Sequence, residues 1–360
     1  MNNGYHSYRM NRRRRRRMMK QIALASVLAL IVIGIIIAAV LISSNKGEDE
    51  GSETKPIYTT ASPDTKNPDE TDAPEEGKNE IWENYTTIKL SEADLHTGDL
   101  ILVREGAPYV FPENFESKLS NIFNGRKKYE DGTRAYQLST ADLLLNPIAL
   151  VRLNQMTEDF YEETGRNKLL IKEAYRTYEY QQEILDFRIE RDGREEALKY
   201  VALPGESEHH SALAFDMSVY KDGVNTYIED EPDYLPIYEN AHKYGFILRY
   251  PESKVDITGI AYEAWHFRYV GEPHAKYIYE NGLCLEEYIA LLRDEHSYSD
   301  EHLIVDFEGP TFSGEYEIYY VPAKADGDGF TETEIIIPQG YDYCVSGNNI
   351  DGFIVTVKIK

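Results

Sequence analysis

The chain has 360 residues, enough for one sizeable domain and a smaller one at about 100–200 residues per domain. It carries 63 Asp+Glu against 38 Lys+Arg, and eight of those positive charges (Arg9, Arg12 to Arg17 and Lys20) fall in the first 20 residues, leaving the remainder near −33. Such a balance argues against binding nucleic acid or anionic lipid through bulk charge, and only two cysteines, Cys284 and Cys344, argue against a disulfide-stapled scaffold.

Residues 1–20 read as a basic cytoplasmic tail. Ile22 to Ile42 holds no charge and is almost wholly apolar or small, which predicts a transmembrane helix over 21–43. The basic residues before it predict a cytoplasmic N-terminus and an extracellular remainder. The run exceeds the apolar core of a cleaved signal peptide, about 7–15 residues, and "AAVLISSN" is a poor exit site. Residues 44–80, rich in Ser, Thr, Glu and Asp with prolines at 56, 63, 68 and 74, read as a disordered linker.

A folded domain is expected over 81–295. "GDLILV" (98–103) reads as a strand, and "NPIALVRLNQMTEDFYEETG" as a helix stopped by Gly165. "KLLIKEAYR" reads as a strand running into a loop at Arg176, and "YEYQQEILDFRIERDG" as a helix ending at Gly193. "LAFDMSVY", "FILRY" and "AWHFRYVG" read as strands, with a helix at "YLPIYENAHKYG" and two more at "PHAKYIYENG" and "LEEYIALLRD". Strands and helices without a repeated βα unit predict an α+β class. From 296 to 360 the segments "GEYEIYYVPA", "TETEIIIPQG" and "DGFIVTVKIK" are β-branched and aromatic between turn residues, and predict a small all-β module. The two cysteines fall in different predicted domains, which disfavours a structural disulfide between them, and the sequence leaves their pairing open.

Two short segments carry the chemistry. In "ESEHHSALAFD", His209 and Asp216 lie seven residues apart, too far along an extended strand to meet unless the chain bends between them. The small residues Ser207 to Ala212, following Pro204 and Gly205, suit such a bend. In "YEAWHFRYV", Glu263 and His266 are three apart, a separation that puts both side chains on one side of a turn. Two imidazoles and a carboxylate with one open position can hold a catalytic Zn2+, and a further carboxylate can serve as general base. Each cluster can equally be a polar surface loop, and the residues alone leave both readings open. Trp265 is read as packing beside the site, and His210 as a non-ligating neighbour. His96, His242, His274, His296 and His302 are read as structural.

The first cluster resembles the S-x-H-x-x-G-x-A-x-D signature of VanY-type zinc D-alanyl-D-alanine carboxypeptidases, in the LAS group of metallopeptidases. It stands here as Ser207, His209, Ala212, Ala214 and Asp216. Glu263, Trp265 and His266 resemble that family's E-x-W-H, and "EAYRTYEYQQEI" resembles its G-Y-R-S-Y-x-x-Q element, with Arg176 and Gln181 in the matching places. The likeness spans about Ile88 to Asp294. It implies a LAS-type head, a small mixed sheet flanked by helices. It implies Zn2+ on His209, Asp216 and His266, with Glu263 as general base. It further implies that Arg176, helped by Ser207 and Gln181, binds the substrate's terminal carboxylate. The implied activity is removal of the terminal D-Ala from peptidoglycan stem peptides, here by an enzyme that the apolar run is expected to anchor in the membrane. The alternatives are L,D-carboxypeptidase action on tetrapeptide stems and a non-catalytic wall-binding head. Three positions depart from the pattern: Ala212 stands for its glycine, Ser211 for the usual threonine, and Ala174 for the glycine before Tyr-Arg.

Overall fold

The computed structural model describes residues 84–360 except 311 and 328. The basic tail (1–20), the apolar run (21–43) and the linker (44–80) lie outside the described residues. No helix among the described residues is long and apolar enough to cross a membrane.

The main strands are β1 (Tyr85–Leu90), β2 (Tyr136–Leu138), β3 (Leu169–Glu173), β4 (Ala214–Lys221), β5 (Phe246–Leu248) and β6 (His266–Tyr269), followed by β7 (Leu303–Glu308), β8 (Ser313–Pro322), β9 (Thr333–Pro338), β10 (Asp342–Gly347) and β11 (Gly352–Lys358). The longer helices are α1 (Pro147–Thr164), α2 (Tyr178–Asp192), α3 (Glu272–Asn281) and α4 (Leu285–Glu295). The head is a mixed sheet in the order β2-β3-β4-β6-β5, with Val224–Thr226 paired to β4. Only β2 and β3 run parallel; the other pairs are antiparallel. The α+β expectation holds.

Local signals account for the helix ends. Asn146 accepts from the backbone N–H of Ile148 and Ala149, with Pro147 in the first turn, and Gly165 (φ 70°) closes α1 in the left-handed region. Thr177 caps α2 through its hydroxyl oxygen, which accepts from Tyr180 N–H. The expected helix Tyr234–Gly245 is broken: Pro236–Asn240 is α-helical, and Ala241–Tyr244 tightens to a 3-10 turn before Gly245.

The second sheet is antiparallel in the order β7-β8-β11-β10, and β9 leaves it to pair with β1 from the start of the described chain. Alternation along β7 sends Leu303, Val305 and Phe307 inward. They join Tyr316, Ile318 and Ile354 in a core shared with Ala275, Ile278, Leu285 and Leu292 of α3 and α4. The all-β segment is therefore packed onto the head through continuous apolar contact.

One expected strand is absent. Gly98–Val103 has no ladder. Its side chains alternate, but between two cores: Ile101 and Val103 enter that of the head, Leu100 and Leu102 that shared with the all-β sheet. Its backbone is satisfied one group at a time. Leu100 N–H donates to Ser346 Oγ (2.9 Å) and Leu102 N–H to Asn348 O (3.1 Å). Arg268 donates to Asp99 O and Ile101 O (2.9 Å each). Period-two burial has two causes, a pleated strand or a strap between two cores, and local sequence does not separate them. Cys284 and Cys344 are both free.

Candidate active site

The site is built on the central strands. Phe215, Met217 and Val219 of β4 and Phe267 and Tyr269 of β6 enter the head core. The period of two then sends Asp216 and His266 to the opposite face. The register pairs Asp216 with His266 directly, so their Cβ atoms are cross-strand neighbours. Glu173 of β3 pairs with Asp216 on the other side, after an irregularity at Lys172.

His209 arrives from a 3-10 turn, Glu208–Ser211, whose following residue Ala212 takes φ 56° and ψ 19°. That left-handed residue folds the turn back over the strand, which is the bend the seven-residue spacing requires. It also explains the glycine of the family signature at this position. Glu263 and His266 are the ends of a tight turn, with His266 N–H donating to Glu263 O (3.3 Å).

The donor atoms converge. His209 Nε2 lies 3.4 Å, and His266 Nδ1 3.2 Å, from Asp216 Oδ1. One donor atom from each residue falls within 4.8 Å of the others, and all three residues are buried. Tetrahedral coordination with bonds of about 2.0–2.2 Å puts ligand atoms roughly 3.3–3.6 Å apart, close to both distances. Asp216 Oδ1 is buried without a hydrogen-bond partner. His209 Nδ1 is committed to Ala174 O (2.6 Å), which leaves its Nε2 lone pair facing Asp216. The residues fit a divalent cation.

The electrostatics agree with a site made for positive charge. Burial and the Arg176 guanidinium lower His209 to about 4. Burial acts the same way on His266, but Asp216 and Glu208 outweigh it and push that imidazole up to about 9. Burial opposes ionisation of Asp216 too, yet His209, His266 and Arg176 hold its carboxyl well below the usual range. Burial pushes Glu263 up to about 7 against the opposing effect of His266; its Oε2 is 3.6 Å from His266 Nδ1.

A cavity of about 390 Å³ opens on these groups, lined also by Arg176, Gln181, Ser207, Tyr227 and Trp265. Arg176 donates from Nη2 to Asp216 Oδ2 (3.0 Å), from Nε to Glu173 (3.4 Å) and from Nη1 to Gln181 Oε1 (3.4 Å). Gln181 donates in turn to Ala202 O (2.9 Å) and so braces the guanidinium. Trp265 stacks on Tyr227 at 5.2 Å between ring centroids, consistent with packing at the cavity wall. His210 is no ligand: Nδ1 faces Arg176 O (2.8 Å) and Nε2 accepts from Gly205 N–H (3.0 Å).

Sequence reading missed the cluster behind the site. Glu208, Arg249 and Arg268 are at most 1% exposed and joined by ion pairs of 2.8 Å. Arg249 also grips Glu286 of α4 with two bonds of 2.7 and 2.8 Å. Glu208 sits inside the quoted signature, but at a position the signature leaves unspecified.

Buried His and carboxylate donors at the base of a cavity, with another carboxylate beside them, are the parts of a hydrolytic metal centre. Comparison with known proteins narrows that class. Residues 142–272 match the VanY family model, described as D-alanyl-D-alanine carboxypeptidase. A D-alanyl-D-alanine carboxypeptidase of Enterococcus faecium is 33% identical over 275 residues, covering 76% of this chain and 80% of the relative. The bifunctional D-Ala-D-Ala dipeptidase and D-Ala-D-Ala carboxypeptidase VanXYC of Enterococcus gallinarum is 37% identical over 155 residues, 42% of this chain and 80% of the relative. Among solved structures, the vancomycin resistance D,D-dipeptidase VanXYg in complex with a D-Ala-D-Ala phosphinate analog superposes with a TM-score of 0.62 at 32% identity, covering 76% of this chain and 99% of that one. The chain belongs to the VanY family of D-alanyl-D-alanine carboxypeptidases, and its enzymatic class is carboxypeptidase.

Proposed function

We propose that the protein is a zinc-dependent D,D-carboxypeptidase that removes the terminal D-Ala from peptidoglycan stem peptides. The carrying observation is the convergence of His209 Nε2, His266 Nδ1 and the orphaned Asp216 Oδ1 at the base of the cavity. These three residues would hold the ion. Bound there, Zn2+ supplies a water acidified toward pKa of about 7 and Lewis-acid polarisation of the scissile carbonyl.

The chain's own groups do the rest. Glu263 takes the proton from the attacking water on its carboxylate and returns it to the leaving amine. Arg176 sets the register. Three of its five N–H groups point to Asp216, Glu173 and Gln181, which hold the guanidinium plane, and the other two remain to grip a terminal carboxylate. Ser207, at the cavity wall, adds a hydroxyl beside that carboxylate. An exopeptidase needs such a clamp, because only a chain end carries the second charge.

The reading extends to location. The uncharged run over 21–43, preceded by eight positive charges, would anchor the chain in the cell membrane as a single span, with the catalytic domain outside and residues 44–80 as its tether. Residues 81–295 would be the catalytic domain and 296–360 its β module.

Defined pentapeptide and tetrapeptide stems incubated with the protein, followed by mass spectrometry, test the function. Release of one D-Ala from the pentapeptide is expected, abolished by chelator and restored by Zn2+. Glu263→Gln should lower kcat roughly 10²–10⁴-fold while retaining the metal. Cleavage of the tetrapeptide alone would replace the D,D assignment with the L,D one, and wild-type turnover by Glu263→Gln would remove the base.

A further inference from the structure

We propose that Glu208 is the positioning residue of His266: its Oε2 accepts the Nε2–H of that imidazole and so aims the Nδ1 lone pair at the ion held with His209 and Asp216. The proposal rests on the metal reading above.

The two metal-facing imidazoles present different nitrogens. His209 faces Asp216 with Nε2, because its Nδ1–H is tied to Ala174 O. His266 faces Asp216 with Nδ1. A neutral imidazole has one proton, so a His266 that ligates through Nδ1 carries that proton on Nε2. That N–H needs a buried acceptor. Nε2 of His266 is buried and without a hydrogen-bond partner, and so is Oε2 of Glu208. The two atoms face each other at 3.6 Å. A buried polar atom without a partner is costly, and these two are a donor and an acceptor placed face to face.

The carboxylate divides its two oxygens between two tasks. Oε1 takes both guanidinium groups, Arg249 Nε and Arg268 Nη1, at 2.8 Å each. Oε2 is left without an arginine partner and faces the ring. Glu208 has little freedom to turn away. Arg249 is locked by Glu286, and Arg268 by Asp99 O, Ile101 O and Tyr269 O. The two arginines and two glutamates balance in charge, so the carboxylate stays ionised with no solvent contact.

Glu208→Gln tests the assignment. The arginines fix the amide oxygen toward themselves, so the amide NH2 turns to the ring and replaces an acceptor by a donor. The full-length variant should bind Zn2+ about 10–100-fold more weakly in competition with a chromophoric chelator, and its Co2+-substituted visible spectrum should shift. Glu286→Gln, one link further out, should lower the melting temperature and leave both readouts unchanged. Wild-type affinity and spectrum in Glu208→Gln overturn the proposal, and so does an equal affinity loss in Glu286→Gln. Should Glu208→Gln fail to fold, the zinc-loaded wild type decides by 15N-histidine NMR. A slowly exchanging, downfield Nε2–H of His266 is expected, and a proton on Nδ1 or a fast-exchanging Nε2–H overturns it. A wild type that takes up no stoichiometric zinc rejects the metal reading itself, a result separate from any of these.

Discussion

Ala212 shows how one backbone conformation supports chemistry. It is buried, has φ 56°, and makes the turn that returns His209 to Asp216. Alanine tolerates the left-handed region at a cost of roughly 1–2 kcal/mol. A β-branched side chain there would add a clash in a closed interior, so Ala212→Val should lose about 3 kcal/mol or more of unfolding free energy. Urea titration measures this, and a loss below about 1 kcal/mol would contradict the account. Arg176 is the second case. A lysine retains the charge but not the planar fork that reaches Asp216, Glu173 and Gln181 together. Arg176→Lys should therefore lower kcat/KM about 10–100-fold with zinc content intact. Unchanged kcat/KM on a pentapeptide stem would remove Arg176 from substrate binding.

At the scale of elements, the seam between α3 and β11 has a titratable group with no charged partner. His274 is 4% exposed, with Nδ1 at 2.7 Å from Tyr288 Oη and Nε2 at 3.1 Å from Thr356 Oγ1. Burial lowers its pKa from 6.5 to about 3. The folded state keeps the ring neutral while the unfolded chain protonates it below pH 6.5, so stability is full above that value and falls as pH drops toward 3. The loss from this one group is about 2 kcal/mol at pH 5. His274→Gln should remove that part of the acid dependence. The check is the difference between pH 7 and pH 5 unfolding free energies for wild type and variant; equal differences in both would refute the assignment. The strap Gly98–Val103 belongs to the same scale. Its alternating side chains read as a strand, and only the presence of two cores made it something else.

For the molecule as a whole, the β segment shares an apolar core with the head. Deleting Leu303–Lys360 would strip β1 of its partner β9, remove Ser346 and Asn348 from the strap, and uncover the apolar faces of α3 and α4. The strap in turn anchors Arg268, which holds Glu208. The truncated protein should lose cooperative unfolding near the wild-type midpoint and bind hydrophobic dye. A sharp, unshifted thermal transition by circular dichroism would show that the head stands alone.

Much of this protein was legible along the chain because the deciding interactions are local. Asn146 and Gly165 mark the ends of α1 within a few residues of the groups they satisfy. The spacing of Glu263 and His266 follows from one turn, and the core-facing alternation in β4 selects the face that carries Asp216. Tertiary structure alone decided the rest, because its partners are remote: Arg268 and Asp99 are 169 residues apart, and Glu208 meets Arg249 across 41. A glutamate beside a histidine has no local signature of a buried acceptor. It becomes one only when two strands, a turn and a strap exclude water around it, since an unpaired polar atom is costly only where no solvent can reach it.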